Sequence, residues 1–230
     1  MEKRRRPRVC TVPSGVPFTD ALAAGILNTH GDDPFELGRV LVLLPTRRAC
    51  RSLRESFLRV RKGAPLLLPR IQPIADIDEE ELALHWIRTQ PGPEERLIDI
   101  PPAIPSMRRQ LLLSRLILHV HAQRHDHDGK GMDPAQSVAL AAELASLLDR
   151  MQTERLAFSE LERVVPDQLA AHWQQTLDFL KILTEHWPRV LASEDCIDPA
   201  DRRNRLLELQ VRVWERSPPE HPVIAAGSTG

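Results

Sequence analysis

A cluster of arginines directly follows a short apolar run near residue 45 and gathers cationic side chains at one point of the chain. It contains Thr46, Arg47, Arg48 and Arg51, within the sequence PTRRACRSLR. A guanidinium is always charged, and its planar set of N–H donors matches a phosphate or a carboxylate. A threonine hydroxyl before a helix accepts a hydrogen bond from the free amides of the first turn. These residue types at this spacing predict an anion-binding site.

The same arginines also fit a simpler interpretation, because an exposed helix face commonly carries several cationic side chains without a specific partner. Two features of the sequence favour contact with nucleic acid. The cluster begins at the carboxyl end of an apolar run, which is where open α/β sheets bind their ligands. The Thr46 hydroxyl, the amides of a helix start and the Arg47 guanidinium would also converge there. We therefore expect this cluster to contact a nucleic-acid backbone.

The elements that must position this cluster are a buried strand and an amphipathic helix. Residues 40–44 are an unbroken branched apolar run, which is typical of a parallel strand covered on both faces. Beyond Pro45, apolar residues recur at spacings of three and four, which predicts a helix with one buried stripe. The stripe consists of Cys50, Leu53, Phe57 and Val60. The arginines fall outside this stripe and would face solvent.

The first loop of the chain has the position of a phosphate-binding loop but lacks its chemistry. A short apolar strand is predicted before the sequence PSGVPF, and Thr19 is predicted to cap the helix after it. A phosphate loop of the GxxxxGK[ST] type uses free amides and a lysine. Here Ser14 and Gly15 offer a turn, but Pro13 and Pro17 lack amide protons and no lysine follows. We predict a degenerate loop that does not bind ATP.

A group of histidines and three scattered cysteines are the other residues with potential chemistry. His121 and His125 lie four apart on a predicted helix, a spacing that can hold a metal ion. No HExxH pattern and no third ligand on the same element accompany them, so a solvated helix end is the simpler interpretation. Cys10, Cys50 and Cys196 lie far apart and form no CxxC motif. We predict no metal site, no disulfide framework and no catalytic residue here.

Beyond the arginine helix the sequence changes from a mixed α/β pattern to an almost entirely helical one. Residues 65–71 form another apolar run, in which Pro69 favours an edge strand or a bulged strand over a central one. A short helix is predicted at residues 79–88, and helical periodicity continues from residue 106 to residue 214. Residues 223–226 return to an apolar strand. We therefore predict an α/β core at residues 1–75, a helical insertion at residues 76–222 and a returning core strand at residues 223–230.

Two stretches of the helical region predict faces that form its core. The helix after residue 106 is predicted to bury the side that carries Leu111 and Leu116. The longest predicted helix has apolar residues that step by four and three, and these include Trp173, Leu180 and Trp187. This spacing favours core packing of both tryptophans over stacking on bases.

The composition of the 230 residues excludes some classes of protein. Lysine and arginine number 31 against 32 aspartate and glutamate, so nucleic-acid contact needs local clusters of charge. No apolar run approaches the ~20 residues that span a bilayer. The start of the chain, MEKRRRPR, leads into no long apolar signal region. We expect a soluble, cytoplasmic protein that does not associate with membranes.

Five blocks of sequence, distributed over nearly the whole chain, resemble the amino-terminal part of the AddB family. They are TVPSGVPFTDALAAGI, VLVLLPTRRACRSLRESFLR, LLLPRIQPIADIDEEEL, HWQQTLDFLKILTEHWP and PVIAAGSTG. They occur in the order that the family has, and their joint occurrence makes the resemblance specific. AddB is the partner of AddA in the bacterial helicase-nuclease that processes double-strand breaks. The resemblance implies a P-loop helicase-like parallel sheet core with a large all-helical insertion.

The resemblance also assigns roles to individual residues of the core. Thr46, Arg47 and Arg48 match the strand-end motif that contacts the single strand in working helicases. The first loop lies where the phosphate loop would be, without its lysine. Ala226 and Gly227 lie where a motor has its magnesium-binding Asp-Glu pair. The resemblance thus implies a helicase fold without a motor, which uses no ATP and no other cofactor.

In this family the nuclease domain, and in many members an iron-sulfur cluster, belong to the carboxyl-terminal part, which these residues do not include. The resemblance implies a non-enzymatic, amino-terminal part of a nuclease subunit that works with an ATP-dependent helicase-nuclease. Its expected function is to bind DNA and to dock an AddA-like subunit in double-strand break repair and recombination. One alternative is a helical scaffold that docks a partner without contacting DNA. Another is a freestanding α/β enzyme that uses the PSG turn as an anion site.

Overall fold

The computed structural model describes residues 8–82, 84, 100–124, 132–156 and 181–227. Its internal contacts divide the chain into two compact units, Met1–Leu82 with Val213–Gly230, and Ala83–Arg212. The first unit contains a three-stranded parallel sheet, and the described part of the second is mainly helical. A mixed α/β fold with a small parallel sheet is therefore confirmed. The helicase-like core and the domain boundaries stay predictions.

The first unit alternates helices with short strands. In chain order it contains α1 (Phe18–His30), α2 (Pro34–Arg39), β1 (Leu41–Leu44), α3 (Arg47–Val60), β2 (Arg70–Pro73) and β3 (Val223–Ala225). β1 lies in the middle of the sheet and pairs in parallel with β2 and with β3. Because all three strands run in the same direction, their carboxyl ends lie at one edge of the sheet. At this edge Leu44 aligns with Pro73, and Leu43 aligns with Ala225.

Apolar side chains from β1, α1 and α3 form the core of the first unit. β1 alternates, because Val42 and Leu44 are buried while Leu41 and Leu43 are half-buried. The strand is therefore covered more fully on one face than on the other, and not equally on both as its sequence suggests. The other buried residues of this core are Ala23, Ile26, Leu37, Val40, Cys50, Leu53, Phe57 and Ile71.

The buried stripe of α3 agrees with the sequence at three of four positions. Cys50, Leu53 and Phe57 are buried, but Val60 is 37% exposed because it is the last residue of the helix. Ser56 is buried in its place, and its hydroxyl lies 2.9 Å from Thr19 Oγ1. A buried hydroxyl is tolerated when it is hydrogen-bonded, as this one is. Hydrophobic periodicity does not predict such a position.

Two predictions at the start of the chain are wrong. Residues 9–12 form no strand, and Val9 is 87% exposed. In the described part of the chain, no strand of the sheet pairs with this segment. Without a paired strand, the backbone N–H and C=O groups of these four residues lack the hydrogen bonds that a buried strand needs. Helix α1 begins at Phe18 with Pro17 at the N-cap position and without a side-chain cap. Thr19 lies inside the first turn, because the backbone angle of Pro17 is already suited to a helix start.

The strand predicted at residues 65–71 lies at the edge of the sheet as expected, but it is observed as β2 at Arg70–Pro73, and residues 65–69 form no strand. β2 begins directly after Pro69. Pro69 cannot donate a hydrogen bond, so pairing begins at the Arg70 N–H, 2.9 Å from the carbonyl oxygen of Val40. The predicted short helix is present as a helical turn at residues 79–82, and residues 85–88 lie outside the described part. The returning strand is observed as β3.

The described part of the second unit is built from helices. They are α4 (Ser106–Arg124), α5 (Pro134–Glu154), a π-helical turn (Ile182–His186), α6 (Trp187–Ser193) and α7 (Pro199–Arg216), of which the last residues belong to the first unit. The segments that precede α4 and α7 are joined by one parallel bridge between Ala103 and Ile197. None of the helices in the described ranges is long and apolar enough to cross a membrane.

The buried face of α4 differs from the predicted one. Leu113 and Ile117 are buried, whereas Leu111 is 52% exposed and Leu116 is only half-buried. The sequence LLLSRLIL places apolar residues all around this helix, so the apolar pattern does not determine which side faces the core. Contact with α5 determines it, and there the Ser114 and Ser137 hydroxyls lie 2.7 Å apart.

The prediction that Trp187 belongs to the core is confirmed, because it is 1% exposed. Trp173 and Leu180, predicted in the same face, lie outside the described residues. Pro188 falls in the first turn of α6, directly after the π-helical turn. A proline removes one helical hydrogen bond, and a π-turn is a common way to accommodate the resulting irregularity.

A buried ion pair joins several helices of the second unit. The Arg109 and Asp198 side chains are 6% and 1% exposed, and the Arg109 Nε lies 2.8 Å from the Asp198 Oδ1. The same carboxylate accepts hydrogen bonds from Trp187 Nε1 at 3.1 Å and Gln152 Nε2 at 2.8 Å. Arg109 Nη1 also lies 2.8 Å from the half-exposed Asp149. These hydrogen bonds and ion pairs offset the loss of hydration of the two buried charges.

Candidate functional site

The loops at the carboxyl edge of the sheet meet the start of α1. Gly227, two residues after β3, has a φ of 72°, a value that glycine adopts without strain. A Cβ at this position would lie 3.4 Å from Phe18 Cε1 and 3.5 Å from Pro45 Cδ. The chain after β3, the start of α1 and the end of β1 are therefore in close contact. This edge carries the residues to which the sequence assigns chemistry.

Thr46 is the N-cap of α3, as its sequence position predicts. Its backbone is extended, and its Oγ1 accepts a hydrogen bond from the Ala49 N–H at 3.1 Å. The first intrahelical bond runs from the Cys50 N–H to the Thr46 carbonyl oxygen at 3.1 Å. The amides of Arg47 and Arg48 precede this bond and have no helical acceptor. The start of α3 thus presents two backbone donors, and the Thr46 hydroxyl retains its proton.

Arg47 is already engaged by an acidic residue of the same edge. Its Nε lies 3.3 Å from the Asp76 Oδ2, and its Nη2 lies 3.2 and 3.1 Å from the two carboxylate oxygens. Both side chains are accessible, with 83% of Arg47 and 50% of Asp76 exposed. Sequence reasoning placed Arg47 correctly at the sheet edge but did not identify this partner.

Arg48 and Arg51 are the two predicted arginines that are exposed and unpaired. They lie three residues apart in the first turns of α3, and neither makes a hydrogen bond or an ion pair with any residue that the structure describes. Two residues at this spacing lie on the same side of a helix. Together they form a small cationic patch beside the free amides of the helix start.

Other cations of α3 have structural partners. Arg54 Nη2 donates to the carbonyl oxygen of Ile71 at 2.8 Å and so attaches α3 to β2. Arg59 Nη2 contacts the Asp20 carboxylate at 2.6 Å and the Ser56 hydroxyl at 2.7 Å. These two arginines connect elements of the first unit and are not available to a ligand without breaking those contacts.

The predicted degenerate loop is exposed and turns at Ser14 and Gly15, between Pro13 and Pro17. Gly15 has a φ of 88°, and no atom lies within 4 Å of the position of a Cβ. No lysine or arginine lies in it or in the first turn of α1. The first turn instead carries Asp20, whose pKa is lowered by hydrogen bonds from Ser56 and then from Arg59. Asp20 occupies the first turn where a phosphate loop has its cation, and its ion pair with Arg59 keeps that guanidinium engaged.

The remaining candidates for chemistry do not form a second site in the described part of the chain. Within those residues, no group of three or more His, Cys, Asp and Glu side chains is arranged to hold a metal ion. His125 lies outside them. Cys10 is exposed and Cys50 is buried, and burial raises the pKa of the Cys50 thiol. A buried thiol of raised pKa is a poor nucleophile.

Asp76 is the site residue that sequence reasoning missed, and the parallel register explains its position. Leu44 aligns with Pro73, so residues that follow these two strand ends at equal spacing come together. Arg47 and Asp76 each lie three residues beyond their strand end. Opposite charges that lie the same number of residues after the ends of two adjacent parallel strands are a signal that would have identified this pair.

Comparison of the chain with protein-family models, with curated protein sequences and with solved structures gave no match.

Proposed function

We propose that the first unit binds the sugar-phosphate backbone of single-stranded or end-unwound DNA at the carboxyl edge of its sheet. The observation that carries this proposal is the pair Arg48 and Arg51, exposed and unpaired within the described residues, beside the free amides at the start of α3. Guanidiniums and helix-start amides are both donors that bind phosphate oxygens. Backbone contacts of this kind carry little sequence preference.

We propose further that this part of the chain is not a motor. The first loop has no cation, the first turn of its helix carries Asp20 and no basic residue, and Ala226 and Gly227 offer no carboxylate for magnesium. An ATPase needs both a cationic cradle for the phosphates and a carboxylate for the metal. The DNA contact would therefore serve to hold a strand that another subunit moves.

The biological setting that we propose follows the resemblance of the five sequence blocks to the AddB family. In that setting the chain docks an AddA-like helicase-nuclease subunit in the cytoplasm and takes part in double-strand break repair and recombination. The α/β class, the small parallel sheet and the Thr46 cap agree with this resemblance without being specific to it. Nuclease activity, if it belongs to the full-length protein, would come from a carboxyl-terminal part, as it does in that family.

The proposal is tested by the salt dependence of single-strand binding. Log affinity against log salt falls with a slope of about −0.7 for each phosphate neutralised on a single strand. Arg48→Ala and Arg51→Ala should each reduce the steepness of that slope by about 0.7, alike for oligonucleotides of different sequence. Fluorescence anisotropy of labelled oligonucleotides over a series of salt concentrations measures both quantities.

Arg61→Ala is the matched control for this experiment. Arg61 is an exposed arginine that follows the other end of α3, far from the sheet edge that carries Arg48. It should change the slope much less than either site variant. Equal losses for all three variants would indicate a diffuse charge effect without a site, and unchanged slopes for Arg48→Ala and Arg51→Ala would refute the proposal.

A second candidate function is a scaffold that docks a partner protein without contacting DNA. The observation in its favour is a pair of exposed apolar residues on α4, Met107 at 68% and Leu111 at 52%, which lie four residues apart on one side of the helix. Exposed apolar residues that share a face often contact another protein. Met107→Ser with Leu111→Ser should then abolish binding to an AddA-like subunit, while DNA affinity is negligible in wild type and variant.

A further inference from the structure

The geometry of the sheet fixes an acidic residue against one of the arginines of the proposed DNA site. Leu44 and Pro73 are partners in the parallel register, and the chain continues from both into the same edge. The segment with Asp76 is held by main-chain bonds, from the Ile74 N–H to the Leu44 carbonyl oxygen at 2.8 Å and from the Asp76 N–H to the Pro73 carbonyl oxygen at 3.0 Å. The carboxylate is therefore presented to Arg47 by the backbone itself.

The contact occupies one of the two edges of the Arg47 guanidinium that can bind a phosphate with paired N–H groups. The Nε and Nη2 atoms form one edge of the guanidinium, and both are within 3.3 Å of the Asp76 carboxylate oxygens. Paired binding of a phosphate by an arginine uses two such neighbouring N–H groups. A phosphate at this edge would have to displace the carboxylate and would also experience repulsion from its charge.

Among the described residues, Asp76 contacts no second cationic side chain. Its side chain is half-exposed, and Arg47 is its one hydrogen-bond partner among the residues that the structure describes. The Arg47 side chain is 83% exposed, so the pair does not fill a core or attach a buried element. An exposed ion pair adds little to stability, which leaves the effect on Arg47 as its main consequence.

We infer that Asp76 acts as a built-in competitor that withholds Arg47 from DNA phosphates. This inference rests on the proposed function and concerns the control of the same site. In the wild type, Arg48 and Arg51 contact the strand while Arg47 remains on Asp76. Removal of the carboxylate charge, by substitution or by a rearrangement of the segment after β2, adds Arg47 as a third phosphate contact.

The test is Asp76→Asn in the 230-residue chain, with affinity for single-stranded oligonucleotides measured against salt. This substitution removes the negative charge at nearly constant side-chain shape, and Asp76→Ala provides a second variant that removes the acceptor altogether. Because an exposed ion pair is weak, affinity at low salt should rise by about two- to fivefold. The salt slope should steepen by about 0.7, the value for one additional phosphate.

Two controls separate release of Arg47 from a general gain in positive charge. Glu55→Gln removes one negative charge from the exposed side of α3, where Glu55 has no hydrogen-bond partner in the described part of the chain. It should leave the slope unchanged. In a chain that already carries Arg47→Ala, Asp76→Asn should no longer steepen the slope.

The possible outcomes separate failure of the competitor role from failure of the proposed function. A wild-type chain that does not bind single strands through Arg48 and Arg51 refutes the proposed function, and the competitor role with it. Binding that depends on those two arginines, together with an Asp76→Asn slope equal to that of wild type, refutes only the competitor role. A fall in affinity on Asp76→Asn that requires Arg47 also refutes it, because Asp76 would then orient Arg47 toward the strand.

Discussion

The arginines of α3 share one residue type but differ in their partners, and the partner decides which of them a ligand can reach. Arg54 is held by a carbonyl oxygen of β2, Arg59 by Asp20 of α1, and Arg47 by Asp76. Arg48 and Arg51 remain exposed without a partner in the described ranges. Residue type and spacing predicted where these cations lie. Their partners depend on strand register and helix packing, which a single sequence does not display.

At the same scale, we expect Asp198 to be essential to the stability of the second unit. Asp198→Ala would leave the buried Arg109 guanidinium without its buried carboxylate partner and would remove the acceptor for Trp187. Loss of one partner of a buried pair costs about 3 to 5 kcal/mol of unfolding free energy. Chemical denaturation of the variant and of wild type measures this difference.

Asp149→Ala is the matched control, because Asp149 contacts the same arginine but its side chain is 46% exposed. Water can replace this carboxylate, so the loss should be no more than about 1 kcal/mol. Equal losses for the two variants would contradict the assignment of Asp198 as the buried partner on which the pair depends.

The Asp20 carboxylate gives a pH dependence to the connection between α1 and α3. Hydrogen bonds from Ser56 and Arg59 lower the pKa of Asp20 below its ordinary value of 3.8. A group with a lower pKa in the folded state stabilises the fold above its unfolded pKa, and this contribution is lost as the pH falls through the folded pKa. Asp20→Asn should therefore be less stable than wild type above about pH 5, and this difference should disappear as the pH falls through the lowered pKa of Asp20.

Thermal unfolding of wild type and Asp20→Asn over this range of pH provides the measurement. Asp32→Asn serves as control, because Asp32 is exposed and has no hydrogen bond to any described residue. A stability difference between wild type and Asp20→Asn that is independent of pH would show that the lowered pKa of Asp20 does not contribute to folding.

At the scale of elements, prediction succeeds where one pattern dominates and fails where several orientations bury similar residues. β1 and α3 have a strong pattern, a proline between them and a threonine that caps the helix, and both are found where predicted. α4 carries leucines around its whole circumference, so its orientation follows from contact with α5. The run at residues 9–12 fails because a strand requires a partner, whatever its own composition.

The orientation of α4 leads to a direct prediction about two neighbouring leucines. Leu113 is fully buried against α5, whereas Leu111 is 52% exposed. Leu113→Ala should cost about 2 to 5 kcal/mol of unfolding free energy through lost contacts and a cavity. Leu111→Ala should change it by less than about 0.5 kcal/mol, as surface substitutions usually do. Denaturant titration of both variants measures these losses. A larger loss for Leu111→Ala than for Leu113→Ala would support the orientation predicted from sequence.

At the scale of the whole molecule, composition and order of elements predicted the class of fold but not the details of the site. The change from α/β to helical pattern matches the observed content of the two units. The ion pairs between Arg47 and Asp76, 29 residues apart, and between Arg109 and Asp198, are contacts between distant segments. Such contacts exist only after the chain has folded, so no local pattern predicts them.

The absence of a motor is a prediction for the whole chain. With Pro13 and Pro17 in the first loop and no lysine or arginine within it, an ATP analogue should show no saturable binding at micromolar concentration in the presence of magnesium. Titration with a fluorescent analogue is the measurement. Saturable micromolar binding that is lost in Ser14→Ala would contradict the prediction and would identify the first loop as a functional nucleotide site.

The most direct test of the central claim is the salt slope of single-strand affinity for wild type and for the double variant Arg48→Ala with Arg51→Ala. The double variant should lose about 1.4 from the steepness of the slope, because two phosphate contacts disappear. The losses should be equal for oligonucleotides of unrelated sequence. A double variant with the slope and affinity of wild type would show that Arg48 and Arg51 do not bind DNA and would contradict the proposed function.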